Sequence, residues 1–197
     1  RPFAVGFRVE HPQGLIDEIR YGRSAGHPNL PAADYKLVDN QRDSDRSVYS
    51  FCMCPGGVVV PTPTREGELC INGMSHAARS GKFANSALVV SVGPADFFEA
   101  GFEGTLAGIR FQESIEVAAF DAGGGDFCAP AARLSDFVAG RISSDLSSTS
   151  YRRGLRVGDL ARLYPPAIIA ALRQAIARFD RKMPGFLTND ATLIGVE

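Results

Sequence analysis

The 197 residues carry almost no net charge: 21 Lys and Arg stand against 22 Asp and Glu, a formal balance of -1. Without an excess of one sign there is no broad electrostatic grip on nucleic acid or on an anionic lipid surface, so neither is expected as a partner. Long apolar runs are missing too. No stretch reaches the roughly 18 residues of a membrane-spanning helix, and the first residues lack the charged, apolar and small-residue succession of a secretory signal. The chain is therefore expected to be cytoplasmic, with no membrane partner. Cysteine is scarce, at positions 52, 54, 70 and 128, too few and too irregular for a disulfide framework, so reduced thiols are expected. Cys52 and Cys54 stand closer than a zinc pair and Cys70 and Cys128 have no near neighbour, so no metal site is expected. A Cys52–Cys54 disulfide would close a small, strained ring. Phosphate-binding motifs are also absent. No strand leads into a G-x-G-x-x-G, Gly123-Gly124-Gly125 follows a helical pattern instead of opening one, and no P-loop or nucleophile elbow is expected.

What the chain does carry is periodic apolar patterning. Phe3, Val5, Phe7 and Val9 alternate with Ala4, Gly6 and Arg8, the period of a half-buried strand, which His11-Pro12 stops. Residues 14–21 place Leu15, Ile16 and Ile19 on one helical face. Residues 22–31 read as a loop and 35–38 as a short strand. The interleaved charges Asp39, Arg42, Asp43, Asp45 and Arg46 read as an exposed turn. Val48, Phe51 and Met53 mark a strand, Pro55-Gly56-Gly57 a tight turn, and Val58 to Val60 the return strand of a hairpin. Leu69 to Ile71 starts another strand that ends at Asn72-Gly73, and Ala87 to Val92 has the continuous apolar character of a buried one.

Beyond Pro94 the pattern becomes helical. Phe111, Ile115, Ala118 and Ala122 make Leu106 to Ala122 an amphipathic helix ended by glycines. Leu134 to Ala139 is a second helical piece. Pro165-Pro166 opens a third helix, with Ile168, Ile169, Leu172, Ala175, Ile176 and Phe179 on its apolar face. Leu193 to Val196 returns to strand. The order predicts an α+β fold: a strand-rich N-terminal half (1–104) on a mixed or antiparallel sheet, a helical C-terminal half (105–197), and a final returning strand able to pair either with the first or with strands of a longer protein outside this chain. The chain opens without methionine inside one strand pattern and closes in another, TLIGVE, so both ends are expected to be cuts within a longer protein.

The stretch SVYSFCMCPGGVVV, residues 47–60, is the least ordinary. In an extended strand residues two apart share a face, which would point both thiols of Cys52 and Cys54 the same way. Gly56 and Gly57 would let a flat ligand approach the backbone. That combination suits a redox site; two small core residues beside a hairpin is the other reading. The segment from Asn72 to Ser86, with Arg79, Lys82 and Asn85, reads either as a polar loop holding an anionic or carbonyl-bearing ligand or as a solvated crossover. His11, His27 and His76 are scattered and read as surface or turn residues.

The blocks RPFAVGFRVEHPQGLID, LPAADYKLV, VYSFCMCPGG, NGMS with ANSALVV, and FDRKMPGFLTNDATLIGVE closely resemble, in order, successive motifs of the bacterial FAD-dependent (NAD(FAD)-utilising) dehydrogenases. The resemblance covers nearly the whole chain. It implies a region inserted between a dinucleotide-binding segment and a second FAD-binding segment, a substrate or cap domain that shapes the pocket over the flavin and is not active alone. FAD is then expected in the full-length protein and not on this region by itself, with NAD(P)H as a donor. The implied partners are the FAD-binding domain of the same chain and a small-molecule substrate of unknown identity. The resemblance implies a redox or flavin-proximal role for Cys52 and Cys54, close backbone approach at Gly56 and Gly57, polar cofactor contacts from Arg79 and Asn85, and a substrate pocket drawing on Arg8, His11 and Lys36. The alternative is a binding or interaction module whose cysteines are only core residues.

Overall fold

Strand β1 (Phe3–Pro12) is buried almost throughout, because it lies inside the sheet and not at its edge. A computed structural model describes residues 3–41 and 46–197. On one side β1 pairs over its full length with β5 (Phe83–Val92), on the other with the short returning strand β8 (Thr192–Ile194), both antiparallel. The first and last strand patterns do meet. Beyond β5 come β3 (Arg46–Pro61) and β2 (Val38–Gln41), with β4 (Ile71–Ser75) pairing to the far half of β3. Beyond β8 come β6 (Ala129–Arg133) and β7 (Leu155–Val157), the one parallel pair among the described strands. The fold is α+β, and its eight-stranded sheet draws on both halves of the chain.

Five α-helices complete it among the described residues: α1 (Gln13–Tyr21), α2 (Pro94–Glu99), α3 (Ala107–Gly123), α4 (Leu134–Ala139) and α5 (Pro166–Lys182). Helix α5 buries all six residues expected of its apolar face, starts behind Pro165 and stops before Met183 and Pro184. Val5, Phe7, Val9 and His11 occupy one face of β1. There Phe7 meets Phe137 of α4 and Tyr164 edge-on, with ring centroids 5.6 and 5.1 Å apart. Helix α3 ends where expected, on Gly124 in a left-handed conformation. Its buried stripe is Phe111, Ile115 and Ala119; Ala118 and Ala122 lie off it. No helix of the described residues is long and apolar enough to cross a membrane.

Four expectations need correcting. Pro55-Gly56-Gly57 is not a tight turn: β3 runs unbroken from Arg46 to Pro61, passing from partner β5 to partner β4 through two register shifts. The Asn72–Ser86 segment is not one loop, because β4 occupies its start and Phe83 to Ser86 already belong to β5. The strand expected over 35–38 begins only at Val38. Asp39 is not in an exposed turn; it is buried in β2 and paired with Arg178 of α5. Arg46 is not in that turn either, since it opens β3 and pairs with Asp96, and Arg42 to Asp45 lie outside the described residues.

Candidate functional site

A buried guanidinium is tolerated only if its charge and its N–H groups find partners. Arg8 on β1 is fully buried and meets that demand. Its Nε donates to Glu197 Oε2 at 2.5 Å and its Nη2 to the other oxygen of the same carboxylate. Nη1 donates to Asn85 Oδ1 of β5 at 2.7 Å and more weakly to the carbonyl of Cys52 in β3 at 3.4 Å. Nη2 also reaches Asn72 Oδ1 of β4 at 3.1 Å. One side chain thus ties β1, β3, β4, β5 and the segment after β8 together. Gly73 lets β4 close over it: a Cβ there would lie 2.1 Å from Arg8 Nη1 and 2.2 Å from Asn85 Oδ1. Burial pushes the Glu197 carboxyl up, with Arg8 pulling it back.

The Cys52 carbonyl that Arg8 holds belongs to a β-bulge. Between Phe51↔Ala87 and Cys54↔Asn85 the register slips, and Cys52 takes a left-handed conformation, φ 44°. That conformation costs a non-glycine residue about 1–2 kcal/mol, so it persists because its surroundings hold it. The two-residue alternation breaks here. Cys52 is exposed while Cys54 is half-buried, and the Cys54 thiol donates to the Cys52 carbonyl at 3.3 Å. Burial pushes the Cys54 thiol up, opposed by the nearby Arg8, so Cys54 is a protonated thiol at neutral pH. Phe51, the residue before Cys52 in β3, is 55% exposed and presents apolar surface beside the bulge.

Gly56 is left-handed, and a Cβ on it would fall 2.0 Å from the Arg79 carbonyl; at Gly57 it would fall 2.5 Å from the Met74 carbonyl. The close backbone approach seen at both glycines is therefore made by the chain itself. Gln13 Oε1 accepts from Gly56 N at 2.7 Å, and Gly81 N donates to the Gly56 carbonyl at 3.1 Å. Arg79 contributes its backbone here and leaves its side chain exposed.

A polar row crosses the sheet on the Arg8 face. Cys54, Asn85, Glu10, Thr192 and Arg133 stand opposite one another on β3, β5, β1, β8 and β6. Directly paired residues share a face. Glu10 accepts from Ser150 N at 3.0 Å and from the Ser150 hydroxyl. Burial raises its pKa, and the bonds from Ser150 and Thr149 oppose the rise. Asn85 Nδ2 and Thr192 Oγ1, both buried, flank Glu10 without a hydrogen-bond partner among the described residues.

Arg8, Asn85 and the Cys52–Cys54 bulge, four of the residues singled out above, are thus brought together. His11 and Lys36 are not. His11 is neither a surface nor a turn residue: it is wholly buried on the opposite face of β1, and its Nε2–H donates to the Phe186 carbonyl at 2.8 Å. Lys36 is exposed between buried Tyr35 and Leu37. Gly22-Arg23-Ser24-Ala25-Gly26 matches the letters of G-x-S-x-G, but it follows a helix and forms a short 3-10 turn, not the strand-to-helix corner that activates such a serine. Among the described residues no group of three or more His, Cys, Asp or Glu could hold a metal ion. Sequence reasoning missed Glu10, Ser150, Thr192 and Glu197. One signal was there: Arg8 and Glu10 put two charges on the same face of an otherwise apolar strand.

An uncharacterised protein of Clostridium beijerinckii (strain ATCC 51743 / NCIMB 8052) is 44% identical over 199 residues, a match covering 100% of this chain and 37% of that protein. The chain therefore spans little more than a third of that relative's length. The family of FAD-dependent protein, C-terminal domain-like, matches residues 2–197, and the chain belongs to that family.

Proposed function

We propose that this chain is the domain that covers the flavin of a longer FAD-dependent oxidoreductase. In this reading it is inserted between the segments that hold the dinucleotide, and the surface bearing Phe51, Cys52 and Cys54 faces the isoalloxazine. The observation that carries the reading is the Cys52–Cys54 bulge. An exposed cysteine is held in a costly backbone conformation by a fully buried arginine, next to the exposed ring of Phe51. Strain of that kind clusters at functional sites.

The residues present suit one end of the cofactor. β1 enters α1 through Pro12-Gln13 with no glycine-rich turn, so the pyrophosphate is not cradled there. An apolar, thiol-bearing surface suits the flat ring system instead. When bound, FAD supplies the two-electron chemistry, drawn from NAD(P)H or from the substrate. The chain's own residues exclude water, shape the pocket and hold the thiols in place, and the domain alone is inactive.

The test uses full-length protein with FAD bound. In Cys52→Ser, Cys54→Ser and the double variant, the rates of flavin reduction by NADH or NADPH and of reoxidation are followed by absorbance. The expected result is at least a tenfold change in one of those rates for Cys52→Ser, with thermal stability retained. Unchanged rates in all three variants would remove the thiols from the chemistry.

A second reading, an interaction module with the cysteines as packing residues, draws on Cys54, whose thiol is half-buried and raised in pKa. Thiol labelling separates the two, because a packing role requires both cysteines to react slowly in the folded protein.

A further inference from the structure

A cleft of about 490 Å3 opens where the far half of β3 meets the residues that follow the serine-rich loop. Its lining is the apolar strip from Val58 to Pro61, His76, Ser150, Arg152 and Arg153. No carboxylate lines it. A volume of that order is usual for small-molecule sites, roughly 300–1,000 Å3.

The backbone carrying the arginines is firmly tied. Ser150 accepts from Val59 N at 2.8 Å while its own N–H and hydroxyl go to Glu10. The Tyr151 hydroxyl donates to the Phe127 carbonyl at 2.8 Å. The Arg153 carbonyl accepts from the Cys128 thiol at 3.1 Å, and Ala129 N donates to the Gly154 carbonyl at 3.0 Å. Yet neither the Arg152 nor the Arg153 side chain has a hydrogen bond or ion pair in the described structure. Arg46, Arg133, Arg141 and Arg178, by contrast, each hold a carboxylate. Two neighbouring cations and an imidazole, carried on tied backbone along an apolar strip with no carboxylate in the lining, are stabilised by an anion entering between them. Paired guanidinium forks offer more donors than one carboxylate can use, and they match the several oxygens of a phosphate.

We propose that this cleft binds a phosphate-bearing small molecule, with the phosphate on Arg152 and Arg153 and the body of the ligand along Val58 to Pro61. The phosphate could belong to a nucleotide or to a phosphorylated metabolite; the recognition chemistry is shared. The lining includes none of Phe51, Cys52 and Cys54, the residues assigned above to the flavin.

Equilibrium dialysis of the FAD-loaded full-length protein against radiolabelled inorganic pyrophosphate tests this. One saturable site per chain is expected. Arg152→Ala/Arg153→Ala should weaken binding at least tenfold, the loss of one charge-assisted hydrogen bond. The control Arg110→Ala/Arg181→Ala removes two exposed arginines that do not line the cleft and should leave binding unchanged. Competition by AMP but not glycerol 3-phosphate would support the cleft as a nucleotide site, and the reverse would support it as a metabolite site. No saturable pyrophosphate binding, or equal weakening in both double variants, would overturn the proposal. Because dialysis reads binding alone, the outcome stands whether or not Cys52 acts on the flavin.

Discussion

A proton on His11 would be costly. The imidazole is enclosed, its ring centroid 4.6 Å from that of Phe186, and its Nδ1 has no partner among the described residues. Burial lowers its pKa from 6.5 to about 4. The unfolded chain accepts a proton in that window while the folded chain refuses it, so this contribution to stability is complete above pH 6.5 and falls as the pH drops towards 4. The loss is about 3 kcal/mol at the bottom of the window. Glu10, Glu116 and Glu197 act in the opposite sense: burial raises each, so their penalty is absent in acid and grows as the pH climbs above 4.5. Comparing wild type with His11→Gln isolates the histidine, since glutamine can still donate to the Phe186 carbonyl but does not titrate. In urea unfolding, the stability gap between the two should narrow as the pH falls from 7 to 4.5. A gap constant across that range would contradict the assignment. A histidine before a proline reads from sequence as a turn residue; only the covering residue, 175 positions away, shows why it is not.

Elements here are coupled through Arg8. Removing one partner of a buried, bidentate ion pair leaves the other charged and enclosed, which costs about 3–5 kcal/mol. Arg8→Met should lower stability by that amount. It should also leave the Cys52 carbonyl held by the Cys54 thiol alone, so labelling of Cys52 in the folded protein should change while Cys128, outside the cluster, labels as before. Glu197→Gln added to Arg8→Met should recover part of the loss, a coupling that a double-mutant cycle measures. Additive losses would mean that the pair is not the link between the strands. At this scale the sequence was readable wherever an element follows from its own residues. α5 announces itself by a helical apolar stripe between prolines, and β1 by alternation. The β3 bulge was not readable, because Pro-Gly-Gly after a strand has the local chemistry of a hairpin turn. What keeps β3 extended is remote: the Arg79 carbonyl against Gly56, Arg8 on Cys52, and two successive partner strands.

For the whole molecule, the α+β class and the pairing of first and last strands were legible, but a division into a strand half and a helical half understates the sheet. β6, β7 and β8 are too short for alternation to register, only three to five residues each, yet they carry the sheet past β1 and place Thr192 and Arg133 in the polar row. The candidate site was half legible for the same reason. Cys54 and Asn85 stand out locally, whereas Glu10, Ser150 and Glu197 gain meaning only when distant segments fold onto the Arg8 face. The account's central claim is that this face, at the Cys52–Cys54 bulge, meets a flavin carried by the rest of the protein. The direct measurement is a crystal structure of the full-length protein with FAD bound. The expected result places the bulge in van der Waals contact with the isoalloxazine, at about 4 Å; a ring system seated elsewhere, with Cys52 open to solvent, would contradict it.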